Sequence, residues 1–140
     1  MVQQPGDAVV ALETAAALNP RNPRYQTNLG VAYKSAGRWD DAIAAFRRAI
    51  VLEPGLVAAH RNLADAYTWR GFARAGQAEG LLAQNANDSR GWLQAGTAFL
   101  ELRWLDEAAR AFEYALRLDP RLAEAQRGLQ ETRRMKAVGK

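Results

Sequence analysis

The chain has 140 residues, of which 49% are hydrophobic, with a formal net charge of +4 and no cysteine. The absence of cysteine excludes disulfides and thiol chemistry, and no run of about 18 apolar residues is present that would cross a membrane. The first residues lack the basic and apolar regions of a signal peptide, so we expect a cytoplasmic protein. Acidic and basic residues are interleaved, which favours a solvated surface. Nucleic-acid binding through the basic C-terminal tail is not favoured, because it needs aromatic stacking platforms and the aromatic residues here are mostly at core-type positions.

Residues 1–22 predict a single helix. Apolar residues recur at helical spacing between Ala8 and Ala16. Asn19 and Pro20 follow them, and this pair is typical of a helix end.

Residues 23–56 predict two helices joined by a tight turn. The first helix is expected from about 24 to 35, and the second is expected to end before Pro54. Gly37 lies between them. Glycine is favoured at such a turn because it has no Cβ and therefore adopts a left-handed backbone without penalty. We assign Gly30 to the crossing of the two helices, where a larger side chain would overpack them.

Residues 57–88 predict a normal first helix followed by an irregular segment. Beyond Gly71, the segment 72–88 lacks a terminal proline and carries Gly76 and Gly80. Each glycine costs about 1 kcal/mol relative to alanine inside a helix. Two interpretations stay open: a shortened helix packed closely through its glycines, or a weak point at which the chain bends or opens.

Residues 89–122 return to the regular pattern. Phe112 takes the place that Phe46 has in the earlier pair of helices, and a proline again follows the second helix. Arg103 stands where Gly37 predicts a turn glycine, so we expect this turn to differ.

Residues 123–140 predict a final helix. Its core-type positions are Gln126, Leu129, Gln130 and Arg133, and such a mostly polar outer face is typical of a capping helix.

A fixed spacing relates these segments. One set of small and large residues consists of Leu29-Gly30, Tyr33, Ala42, Phe46, Ala49 and Pro54. The same register returns later as Ala95-Gly96, Phe99, Ala108, Phe112, Ala115 and Pro120. Part of it also occurs between these two copies, as Leu63-Ala64 and Tyr67. A period of about 34 residues predicts stacked repeats. The pattern resembles the tetratricopeptide repeat family, in which each repeat is a pair of antiparallel helices. Segment 72–88 is two residues too short to keep the period.

The resemblance implies an all-α fold, a right-handed superhelical solenoid of about seven helices that forms one domain over residues 1–140. Its parts are the second helix of a partial repeat (1–22), a repeat (23–56), an irregular repeat (57–88), a repeat (89–122) and a C-terminal capping helix (123–140). The partial repeat has two explanations. The chain is a fragment of a longer array, or another copy supplies the missing helix.

The resemblance also implies a non-catalytic scaffold that binds a peptide or helical segment of a partner protein in its concave groove. The alternative is a structural module that forms homo-oligomers through its incomplete N-terminal repeat. No enzyme is predicted, because the chain lacks a nucleophile elbow and a glycine-rich phosphate loop. No metal or other cofactor is predicted either, since His60 is the one histidine and occupies a core-type position.

In the family, the first helix of each repeat lines the groove, which gives twelve candidate binding residues here. They are Arg24, Thr27, Asn28, Val31, Lys34, Arg61, Asn62, Asp65, Trp69, Arg90, Gln94 and Glu101. Asn28 and Asn62 resemble the asparagine ladder that holds peptide backbones in some members, although their amides could instead bond to a neighbouring helix. Trp69 is expected either to anchor a partner or to pack over the irregular second helix.

Overall fold

The computed structural model describes residues 5–139, and these form eight α-helices. The helices are α1 (Pro5–Leu18), α2 (Pro23–Ser35), α3 (Trp39–Leu52), α4 (Val57–Trp69), α5 (Ala73–Gln84), α6 (Ser89–Glu101), α7 (Leu105–Leu118) and α8 (Ala123–Val138). The predicted all-α solenoid is confirmed. The prediction of about seven helices compares with eight helices within this part of the chain, and the irregular segment after Gly71 forms one of them, α5.

The helices stack as three hairpins, α2–α3, α4–α5 and α6–α7, with α1 before them and α8 after them. We call α2, α4, α6 and α8 the first helices and α1, α3, α5 and α7 the second helices. Each second helix packs against the first helix that follows it, and α3, α5 and α7 also pack against their own first helix. None of the helices within residues 5–139 has the length and apolar character needed to cross a membrane.

The same local signals begin equivalent helices. Asn22 caps α2, because its side chain accepts a hydrogen bond from the backbone N–H of Arg24 at 2.9 Å. Pro23 occupies the first turn of α2, where its missing N–H costs nothing. Asp88 caps α6 in the same way by accepting from the N–H of Arg90 at 3.0 Å.

All three hairpin turns adopt one backbone conformation. Gly37 and Gly71 have φ values of 75° and 85°, and Arg103 has a φ of 65°. The expectation that the Arg103 turn differs was wrong. The residue after each of these positions donates its N–H to the carbonyl five residues earlier, at 2.8, 2.8 and 2.9 Å. This helix-ending bond requires the left-handed conformation, so Arg103 adopts it despite its Cβ.

Glycines let the helices approach closely at the centre of the regular hairpins. A Cβ at Gly30 would lie 2.5 Å from the ring of Phe46. A Cβ at Gly96 would lie 2.7 Å, and one at Gly128 2.5 Å, from the ring of Phe112. Both rings are fully buried, with exposed fractions of 0% and 1%. The assignment of Gly30 to a helix crossing is confirmed.

Helix α5 presents a different face to the core. Counted from the turn residues Gly37 and Arg103, the buried residues of α3 and α7 occupy identical positions. Counted from Gly71, every buried residue of α5 stands one position earlier than its counterpart in α3. A shift of one residue corresponds to a rotation of about 100° around the helix axis. The buried residues of α5 are Ala75, Gly76, Ala78, Glu79 and Leu82.

This rotation replaces a core phenylalanine by an acid. Glu79 takes the place of Phe46 and Phe112 and is buried, with 5% of its surface exposed. Gly80, which the repeat spacing aligns with Phe46, has nothing within 4 Å of its Cβ position.

The irregular hairpin is packed closely through one of its two glycines. A Cβ at Gly76 would lie 2.4 Å from the hydroxyl oxygen of Thr68 and 3.1 Å from the backbone oxygen of Ala64. The interpretation of a shortened, closely packed helix therefore holds for Gly76 but not for Gly80. The first helices also separate here. The α-carbons of α4 and α6 stay more than 8 Å apart, whereas α2 and α4, and α6 and α8, come closer than this.

Candidate functional site

The predicted groove residues share one feature, which is their position on the first helices α2, α4 and α6. We call their exposed surface the first-helix face. Eleven of the twelve are exposed or half-exposed there: Arg24, Asn28, Val31, Lys34, Arg61, Asn62, Asp65, Trp69, Arg90, Gln94 and Glu101. Thr27 differs, because it is buried and its hydroxyl donates to the backbone oxygen of Pro23 at 2.8 Å. Its side chain therefore offers no surface to a partner.

The two asparagines of the first-helix face have different surroundings. Asn62 accepts a hydrogen bond from the Lys34 ammonium at 3.2 Å and donates to the backbone oxygen of Ala58 at 2.9 Å. Its amide is thus engaged by its own helix and a neighbouring helix. The side chain of Asn28 is exposed and makes no hydrogen bond within residues 5–139, so both its donor and its acceptor face solvent.

Trp69 lies at the end of α4 with 70% of its surface exposed. It stacks on Trp39 at the start of α3, with ring centroids 5.1 Å apart and planes inclined by 25°. Trp69 therefore packs against the preceding second helix, and not over α5. One face of its ring remains open to solvent.

Two charged residues share the exposed side of α4 with Trp69. Arg61 and Asp65 precede it by two turns and one turn, and both are exposed. Neither forms an ion pair with another described residue. Residues four apart lie on one helix face, so α4 presents a cation, an anion and an aromatic ring in a row. We call these three residues the α4 stripe.

Ion pairs connect α3 with the end of α4, and α7 with α8. Arg70, the residue after α4, pairs with Asp40 on α3 at 2.8 Å, and Lys136 on α8 pairs with Asp106 on α7 at 2.6 Å. The Lys136 ammonium, through its hydrogen bond and charge, holds the pKa of Asp106 below its usual value. The four side chains are 41–79% exposed, and such pairs contribute up to about 1 kcal/mol each.

A cleft of about 750 Å³ lies between α3 and α7. Ile43, Phe72 and Trp104 are among its apolar walls. Arg47 of α3 forms an ion pair with Glu107 of α7 beside it. Nothing in the sequence predicted this cleft, because α3 and α7 belong to hairpins that are not neighbours in the chain.

His60 and Glu79 form a buried pair that sequence reasoning also missed. The His60 Nδ1 lies 2.7 Å from a carboxylate oxygen of Glu79, and its Nε2 lies 2.6 Å from the backbone oxygen of Pro54. Burial alone would lower the pKa of His60. The hydrogen bond and charge of Glu79, with the Pro54 carbonyl, outweigh burial and raise this pKa above its ordinary value.

The bond from His60 to Pro54 has counterparts at the start of each other first helix. The equivalent donors and carbonyls are Gln26 and Pro20 at 3.5 Å, Trp92 and Ala86 at 2.8 Å, and Gln126 and Pro120 at 3.0 Å. At the same position of each first helix, a side-chain N–H therefore donates a hydrogen bond to the loop before that helix.

Between residues 5 and 139, no cluster of three or more His, Asp or Glu side chains is arranged to hold a metal ion.

Models of one family match most of the chain. Residues 2–57 and 32–71 match one model described as tetratricopeptide repeat, and residues 89–122 match a second model with the same description. A curated relative, the TPR repeat-containing thioredoxin TTL4 of Arabidopsis thaliana, is 32% identical over 67 residues. This match covers 48% of the chain and only 10% of the length of that relative.

Solved structures of MamA have a similar fold. MamA 41-end from Desulfovibrio magneticus RS-1 is 20% identical with a TM-score of 0.51, and the match covers 95% of this chain and 76% of that one. The MamA RS-1 ArsTM double mutant is 21% identical with a TM-score of 0.51, covering 94% and 75%. At this identity, the likeness concerns the fold.

Proposed function

Because the chain belongs to the tetratricopeptide repeat family, we propose that it is a protein–protein interaction scaffold. It binds a peptide or helical segment of a partner protein along its first-helix face. The observation that carries this proposal is the α4 stripe, in which Trp69 is 70% exposed beside two unpaired charges. A tryptophan that becomes desolvated on binding often dominates the affinity of an interface.

The chemistry of the first-helix face indicates the kind of segment that fits. The open ring of Trp69 would take an apolar or aromatic anchor of the partner. Arg61 and Asp65 would then pair with one acidic and one basic residue, one turn apart, and so set the direction of the bound segment. Asn28 on α2 would both donate to and accept from its backbone.

Affinity measurements on a recovered partner test this proposal. Partners would be captured with the parent chain, identified, and titrated against purified variants by calorimetry. We expect Trp69→Ala to weaken binding about 30-fold or more, the effect of losing about 2 kcal/mol at a hot spot. Leu81→Ala is the matched control, because Leu81 is 43% exposed on α5, outside the first-helix face. Equal affinities for both variants would refute the first-helix face as the site.

A specific observation at the N-terminal end favours a second candidate function, self-association through α1. Val10 and Leu18 are 63% and 76% exposed on this helix. A groove of about 320 Å³ also lies between α1 and α2, with Leu12 and Val31 among its lining residues. An apolar helix face beside an apolar groove could pair with the same surface of a second copy.

The register of α1 supports this candidate. Ala8, Leu12 and Ala15 stand one repeat period before the residues through which α3 packs against α2, and they are only half-buried. Light scattering over a concentration series tests the idea. The parent chain should show a mass that rises with concentration, and Leu12→Glu should abolish the rise. A parent chain that stays monomeric throughout would exclude this candidate.

A further inference from the structure

The buried ring of His60 faces two hydrogen-bond acceptors. The backbone oxygen of Pro54 can only accept, so the Nε2 atom, 2.6 Å away, must donate to it. The Nδ1 atom lies 2.7 Å from a carboxylate oxygen of Glu79. A neutral imidazole carries one N–H and would leave Nδ1 and the carboxylate facing each other as two acceptors. The geometry therefore requires a proton between His60 and Glu79.

No other charged group around the pair takes the role of this proton as the partner of Glu79. Arg47 of α3 and Glu107 and Arg110 of α7 face the same small cavity, but Glu107 pairs with both arginines. Tyr67 of α4 also lines this cavity. Burial, and next the charge of Glu79, raise the pKa of Tyr67, so this phenol stays neutral and cannot supply a charge.

The other contacts described around the His60–Glu79 pair are between aromatic rings. Trp92 of α6 packs edge-on against the His60 ring, with centroids 5.2 Å apart. Tyr114 of α7 in turn packs on Trp92. Among the described residues, His60 is the one hydrogen-bond partner of the buried Glu79 carboxylate.

We propose that the proton shared by His60 and Glu79 holds α5 in its place between α4 and α6, and that loss of this proton releases α5. The helix is suited to release. It is the shortest of the described helices, with 12 residues, and it contains two glycines that weaken a helix. A buried carboxylate without a partner is strongly unfavourable, and α5 avoids this cost by moving Glu79 into water.

The direction of the pH effect follows from linkage. The pKa of His60 is raised in the folded chain above the unfolded value of about 6.5. The contribution of the pair is then fully present below about pH 6.5 and is lost as the pH rises through the folded pKa. Alkaline conditions, and not acidic ones, release α5.

Nuclear magnetic resonance provides a direct test, since His60 is the one histidine of the chain. We expect its imidazole to titrate with a midpoint above pH 6.5. Amide exchange, corrected for the intrinsic rate, reports how often α5 opens. Between about pH 6.5 and the His60 midpoint, the opening of α5 should increase by up to about tenfold per pH unit, and above the midpoint it should become constant. The opening of α3 should not change in this way. A midpoint at or below 6.5, or parallel changes in α3 and α5, would overturn the proposal.

The variant His60→Gln separates the proton from the packing. Gln26 and Gln126 already make the equivalent bond to Pro20 and Pro120, so glutamine should keep the bond to Pro54. We expect α5 of this variant to open more than the parent at low pH and to lose the part of its pH dependence that follows the His60 titration. A pH dependence equal to that of the parent would contradict the assignment.

A second variant guards against misfolding of the first. Glu79→Gln keeps the shape of the side chain but removes its charge. With the carboxylate gone, burial should dominate and the midpoint of His60 should fall below that of the parent. An unchanged midpoint would show that Glu79 does not hold the proton.

Discussion

Adding one methyl group at Gly30 tests the packing of the regular hairpin. The new Cβ would lie 2.5, 2.7 and 2.8 Å from three ring carbons of Phe46, against an optimal carbon separation of about 3.5–4.0 Å. Phe46 is 0% exposed, so its ring cannot move without displacing other buried side chains. Overpacking of this kind costs about 1–3 kcal/mol, and alanine returns about 1 kcal/mol of helix propensity. The net expectation for Gly30→Ala is a loss of up to about 2 kcal/mol.

Gly80→Ala is the matched control, because it makes the same chemical change inside a helix without a clash. Nothing lies within 4 Å of the Cβ position at Gly80, so this variant should gain about 1 kcal/mol. Urea unfolding followed by far-ultraviolet circular dichroism measures both changes. The difference between the two variants isolates the packing cost at Gly30, about 1–3 kcal/mol.

A double variant locates the origin of that cost. If the Phe46 ring causes it, Gly30→Ala should cost less in a Phe46→Leu background than in the parent chain. The reasoning would be refuted if Gly30→Ala stabilised the chain as much as Gly80→Ala does. It would also fail if the penalty were the same with either side chain at position 46.

Two further predictions concern the turns and the first helix. Arg103→Gly should raise stability by about 1 kcal/mol, because a left-handed backbone costs a residue with a Cβ about 1–2 kcal/mol; an unchanged thermal midpoint would argue against strain at this turn. Tyr33→Phe should lower stability by about 1 kcal/mol, since the Tyr33 hydroxyl donates to Glu13 of α1 at 2.7 Å. Tyr67→Phe is its control in the same unfolding assay and should change little, because the Tyr67 hydroxyl has no hydrogen-bond partner within residues 5–139.

The regular hairpins were predictable because their packing depends on residues at fixed spacing. Phe46 and Phe112 each fill the space that a glycine of a first helix leaves, so the same pair of residue types marks the same crossing twice. The turn at Arg103 was not predictable in this way. Its residue type argues against a left-handed backbone, and the stacking of α6 on α7 overrides that local preference.

The rotation of helix α5 escaped the sequence analysis for a tertiary reason. The repeat spacing aligns Gly80 with Phe46 and Gln77 with Ile43, so this alignment places no large apolar side chain at the core positions of α5. The one-residue rotation becomes visible only through the bond from Glu79 to His60 and the close approach of Gly76 to α4. Ala75, Ala78 and Leu82 have the spacing of one helix face, and this spacing is a signal for the buried side of α5. The same face includes Glu79, however, and hydrophobic patterning excludes a glutamate from a core.

For the candidate site, too, the positions of the residues were predictable and their tertiary contacts were not. The choice of residues on the first-helix face rested on the family resemblance together with the helical period, and eleven of the twelve are at least half-exposed there. Whether a side chain is free depends on neighbours that period does not reveal. Lys34 reaches Asn62 from another helix, and Trp39 reaches Trp69 from another hairpin. Spacing therefore predicted positions, but it could not predict which amides and rings are free.

The two proposals meet at α5. This helix packs against both α4 and α6, whose α-carbons stay more than 8 Å apart, so its position sets the distance between the α4 stripe and the residues of the first-helix face on α6. A partner that contacts both α4 and α6 would favour the state in which α5 is held. By linkage, such a partner must then raise the proton affinity of the His60–Glu79 pair by the factor by which the proton raises partner affinity. A partner confined to α2 and α4 would leave the His60 titration unchanged. The midpoint of this single histidine, measured with and without a bound partner, therefore distinguishes the two modes of binding.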